Sequence, residues 1–173
     1  MSFFIYPDRF DATHVHFCPA TQNQHDDHTE SKFSRIVYST PHISLNSVGF
    51  ILHLTPSKPA YAKWVVSYDV DHPQNAAIIS QLRGIECAII DKYVHAISES
   101  RHRSHALADH LISGCIKAYE HHADSLSGLD GIDRAAGDHS VPDGDSASQL
   151  IVSIFGVWET PAECGITYKF AKW

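Results

Sequence analysis

The chain has 173 residues, 43% hydrophobic and 19% charged, with a mean hydropathy of −0.19, which excludes wholesale disorder and a fibrous repeat and fits one domain with a real core. Its unusual figures are 14 histidines and a formal net charge of −7. The longest apolar runs, 48–54 and 150–158, are interrupted by Gly, His or Ser and fall well short of the roughly 20 residues that cross a bilayer.

Residues 1–30 form an acidic, His-rich segment in which Asp8, Asp11, Asp26, Asp27 and Glu30 face Arg9 alone. Its start turns polar at Pro7, Asp8 and Arg9 and lacks a basic n-region and a cleavage site, so an intracellular protein with no membrane partner is expected. From Arg35 onward, β-branched and aromatic residues bounded by Pro, Asn or Gly predict strands over 35–39, 43–47, 49–55 and 61–70. The period then changes: Ile78, Leu82, Ile85, Ile89, Tyr93 and Ile97 recur every three or four residues, which predicts a helix over 74–100. Leu107, Leu111, Ile112, Cys115 and Tyr119 predict a second helix over 104–122, with Ser104 as its N-cap.

Segment 124–148 sets six aspartates against Arg134; its Asp, Gly and Ser content reads as a long acidic surface loop. Such a loop is either a solubilising insertion or an arm able to occupy a basic groove, and it lacks the Asp-x-Asp-x-Asp-Gly pattern of a calcium loop. Residues 149–159 and 165–172 are two final strands joined as a hairpin. Outside the two acidic segments, eleven Lys or Arg outnumber nine acids. Strands in one block and helices in another predict a single α+β domain over 1–173: a curled antiparallel sheet or OB-like barrel with two packed helices and the acidic loop.

The four cysteines show no Cys-x-x-Cys spacing and read as free thiols of a reducing compartment, Cys87 and Cys115 on helical stripes and Cys18 and Cys164 in loops, with disulfide pairing left open. Histidines cluster at His14 and His16, at His25 and His28, at His102, His105 and His110, and at His121 and His122. A strand would put His14 and His16 on one face, and a helix would bring His102 and His105 together over one ion. No zinc, nucleophile-elbow or phosphate-loop motif is present, so no catalytic residue, metal or cofactor is assigned and the chain is not read as an enzyme. Basic and aromatic residues interleave in two places, 58–68 and 158–173. An aromatic ring on an open sheet face can stack an unpaired base while nearby Lys neutralises phosphate. The candidate nucleic-acid residues are Lys58, Tyr61, Lys63, Trp64, Tyr68, Tyr168, Lys169 and Lys172.

Ile154-Phe155-Gly156-Val157-Trp158-Glu159-Thr160 followed by Cys164-Gly165-Ile166-Thr167-Tyr168-Lys169-Phe170 resembles the closing hairpin of single-stranded-DNA-binding-like proteins of large eukaryotic DNA viruses. The resemblance implies an OB-like barrel with inserted helices that binds unpaired DNA in viral replication or recombination. The family's acidic arm would stand at the C-terminus, whereas here the acids lie in 124–148. The leading expectation is therefore a single-stranded-DNA-binding protein, able to form a homo-oligomer. The alternatives are a viral capsid or scaffold subunit that buries the same aromatics in an interface, and a His-liganded metal-binding protein.

Overall fold

A computed structural model describes residues 4–22, 31–57, 65–120 and 149–172. In these the chain is α+β: a curled, open, mainly antiparallel sheet forms a half-barrel, and two helices lie against its inner side. In chain order the elements are β1 (Val15–Phe17), β2 (Thr21–Gln22), β3 (Lys32–Ser39), β4 (Ser44–Leu45), β5 (Val48–His53), β6 (Val65–Ser67), α1 (Pro73–Ile97), β7 (His102–Ser104), α2 (Ala106–Ile112), β8 (Cys115–Lys117), β9 (Tyr119–Glu120), β10 (Gln149–Glu159) and β11 (Glu163–Lys172).

The sheet is organised on the β10–β11 hairpin. One edge of β10 pairs with β11 along nearly its whole length; the other is shared, with β5 against residues 149–154 and β3 against 156–159. The changeover coincides with a bulge between Ile154 and Gly156, where the extra residue bends the strand and increases its twist. This bend lets one long strand serve two neighbours and curls the sheet. Before the bulge, Leu150, Val152 and Ile154 point inward, and after it Val157 and Glu159 do; all five are buried.

Helix α1 covers the inner side because its stripe is continuous. Ile79, Leu82, Ile85, Ile89, Ile90 and Tyr93 join one core cluster with Phe50, Leu52, Ile154, Val157 and Phe170. Pro73 opens the helix, where its missing N–H costs nothing, and Ser98, left-handed at φ 55°, ends it. The sheet also draws in part of the acidic N-terminal segment. Val15 is fully buried, β1 pairs with β3, and the Lys92 ammonium donates to the carbonyls of Ala12 (2.8 Å) and Thr13 (3.0 Å).

Several expectations are corrected. The second helix spans Ala106–Ile112 rather than 104–122: Gly114 at φ 70° breaks it, and the chain continues as β8, paired with β6. Ser104 lies in β7 and His105 is the N-cap residue, with no side-chain cap bond. Cys115 is therefore exposed, Cys164 lies buried on β11 and not in a loop, and the four cysteines are free. Among the described residues no helix is long and apolar enough to cross a membrane. The acidic segment 124–148 and the start of the strand predicted over 61–70 lie outside the described residues.

Candidate nucleic-acid interface

Helices α1 and α2 fill the inner side, and among the described residues no helix packs on the sheet's other side. Strand pairing puts the outward residues in rows. Nearest the hairpin turn, Phe33, Trp158 and Gly165 are cross-strand neighbours. The next row holds Arg35, Gly156 and Thr167, and the one after it Gly49, Ser153 and Lys169. Arg35, Thr167 and Lys169 are exposed, whereas Phe33 and Trp158 are half-buried. The bulge keeps two consecutive residues, Phe155 and Gly156, on this side, which is why Phe155 remains 38% exposed in an otherwise apolar strand. Further along, Ile151 faces outward yet is fully buried, so the open part of the face is the half toward the turn.

Two glycines let the aromatic rings lie close to the sheet. A β-carbon on Gly165 would stand 2.8 to 3.1 Å from three atoms of the Trp158 indole, and one on Gly156 would collide with the Phe33 ring and the Ser34 carbonyl. The absent side chains are thus the seats of the two rings. The two rings therefore lie close against the sheet, each half-buried.

The hairpin carrying Trp158 is held firmly. The Thr160 hydroxyl accepts from the amides of Ala162 (3.3 Å) and Glu163 (3.1 Å), and the Thr160 amide donates to the Glu163 carbonyl (2.8 Å). On the inner side Arg101 donates to the Pro161 carbonyl and to Glu99. Its Nε also stands 4.0 Å from the buried Glu159 carboxylate.

The residues selected from sequence separate instead of converging. Lys169 is on the outer face, but Tyr168 and Lys172, one and three positions away, alternate to the inner side. Tyr168 packs there on α2, its hydroxyl donating to the Ala106 carbonyl (3.0 Å) and its ring against Phe170 and His110. Tyr68 is only 4% exposed, its hydroxyl donates to the Leu111 carbonyl (2.7 Å), and burial pushes its phenol well above the ordinary range. Neither tyrosine offers a free ring to a base. Lys58, Tyr61, Lys63 and Trp64 lie outside the described residues. Phe33 and Arg35 were not singled out from the sequence; the alternation of Phe33, Arg35 and Val37 with Ser34, Ile36 and Tyr38 is the signal that carries them.

The histidines are dispersed as well. His102 is on β7 and His105 starts α2, so no helix brings them together; His14 packs edge-on against Tyr38, and His16 is exposed. Among the described residues no group of three or more His, Cys, Asp or Glu is placed to hold a metal ion, and His25 and His28 lie outside those residues. No protein-family model, curated protein or solved structure matches the chain.

Proposed function

We propose that the outer face of the half-barrel binds single-stranded nucleic acid, with unpaired DNA as its ligand. The observation that carries this reading is the grouping of Phe33, Trp158 and Phe155 on the outer sheet face, against which no helix of the described residues packs, with Arg35 and Lys169 in the adjoining rows. Aromatic faces stack any base and cations neutralise the backbone, a combination that tolerates sequence and requires single strands. An OB-like barrel, finer than the half-barrel described above, and a role in viral DNA replication or recombination both rest on the hairpin resemblance. The binding set differs from the one selected from sequence: Arg35, Phe33 and Trp158 join Lys169, and Tyr68, Tyr168 and Lys172 leave it.

The test is fluorescence anisotropy with labelled oligothymidylate across a salt series. Each phosphate contact on a single strand contributes a slope of about −0.7 in log K against log salt. Arg35→Ala and Lys169→Ala should each flatten the slope by about that amount. Arg103→Ala should leave it unchanged, because Arg103 faces inward and pairs with Asp91 at 2.6 Å. Trp158→Ala should weaken binding about 5- to 150-fold, the loss of one stacked base, and Trp158→Phe should restore most of it. Salt-independent binding, or affinity indifferent to Trp158, overturns the reading. Self-association through the same face, undisturbed by oligonucleotide, would instead favour the assembly subunit.

A further inference from the structure

The third row of the outer face is already occupied by a ring from the protein itself. A β-carbon on Gly49 would lie 2.5 Å from Phe4 Cδ1 and 2.9 Å from Cε1, and 3.4 Å from the Ser153 hydroxyl. Phe4 thus sits over Gly49 much as the Trp158 indole sits over Gly165. Its segment is joined to β5 through the backbone: the Ile5 amide donates to the Gly49 carbonyl (2.8 Å) and the Ile51 amide to the Ile5 carbonyl (3.2 Å), while Tyr6, stacked near His53, remains 52% exposed. Across the same row stand Ser153 and Lys169. From Gly165 to Lys169 is four residues of strand, about 13 Å, so this place and the Trp158 platform lie along one line of the face.

Resting on the nucleic-acid reading above, we infer that the glycine seat at Gly49 is a second base subsite, held in the free protein by the ring of Phe4. Three features support a planar ligand there: a ring already fits, the absent side chain of Gly49 makes the room, and the row offers a hydroxyl and an ammonium to a nucleotide's polar parts. A longer oligonucleotide anchored at Trp158 reaches the seat and displaces Phe4; a shorter one does not.

The experiment measures affinity for oligothymidylates of increasing length in the wild type, Phe4→Ala, Gly49→Val and the double variant, with thermal melts to confirm folding. Phe4→Ala should leave the shortest oligonucleotides unaffected and tighten the longer ones about 5-fold or more, the equivalent of one base stacked without competition. Adding Gly49→Val, which refills the seat, should abolish that gain. A gain that survives Gly49→Val, or no gain at all, overturns the subsite. Loss of all binding dependence on Trp158 instead sinks the underlying nucleic-acid reading, so the two failures are distinct. Hydrogen exchange on the wild type needs no substitution: long oligonucleotides should accelerate exchange of the Ile5 and Ile51 amides, and unchanged or slowed exchange would count against displacement.

Discussion

Glu86→Ala should be among the most destabilising single substitutions in this chain, with a loss of several kcal/mol in denaturant unfolding. Glu86 is fully buried on α1, and its two carboxylate oxygens accept the Leu107 and Ala108 amides of α2, each at 3.0 Å. The first amides of a helix have no partner within it, and His105, the N-cap residue, supplies none from its side chain. The neighbouring helix therefore caps α2. Removing the carboxylate orphans two buried donors at about 1 to 3 kcal/mol each and leaves a void. Glu86→Gln, which keeps the volume and one acceptor, should cost less.

The pH dependence of this contact has a definite sign. Desolvation raises the Glu86 pKa above the ordinary carboxylate value, against the lowering effect of the two amides and of His105, with Asp109 adding to the rise; Tyr168 faces the same group from β11. A raised native pKa means that the folded state holds the proton more tightly than the unfolded state. The resulting stability is full below the unfolded pKa and is lost as pH rises through the native one. The stability difference between wild type and Glu86→Gln should therefore shrink as pH rises out of the ordinary carboxylate range. A difference that grows over that interval would contradict the assignment.

Local pattern was legible where one face of an element alone decided its structure. The α1 stripe is periodic and buried, so its sequence bounds of 74–100 lie close to Pro73–Ile97, and the 149–159 strand coincides with β10. What failed depended on contacts distant in sequence. Cys115–Lys117 continues a helical period, yet it pairs with Val65–Ser67 once Gly114 has turned the chain. The side to which a strand residue points is also hidden when a bulge intervenes: simple alternation from Ser153 would send Phe155 and Val157 outward, whereas the bulge sends Phe155 and Trp158. The separation of Lys169 from Tyr168, by contrast, follows from simple alternation along β11 and was legible in the sequence. The binding face thus became visible only with the register, because its members come from β3, β5, β10 and β11 and no single segment carries more than two of its charged or aromatic groups.

Ile89→Ala and Leu82→Ala should each destabilise the protein by about 2 to 5 kcal/mol, through lost transfer free energy and a residual cavity. Both side chains are fully buried in the cluster that joins α1 to the sheet. Among the described residues, helix and curled sheet share this core cluster, so the sheet's inner packing depends on the helix. Ile112 supplies the control. The helical stripe 107, 111, 112, 115 predicts it to be buried, but the short α2 leaves it 51% exposed, so Ile112→Ala should change stability by no more than about 0.5 kcal/mol. Urea unfolding of the three variants, read as midpoint at constant m-value, separates the cases. Near-neutral Leu82 and Ile89 substitutions would mean that α1 is not the inner wall of the half-barrel. A costly Ile112 substitution would mean that α2 presents its outer side to packed structure. With the core shown to be separate from the outer face, weakened oligonucleotide binding by a folded Trp158→Ala variant can be assigned to the face itself and not to a collapsed sheet.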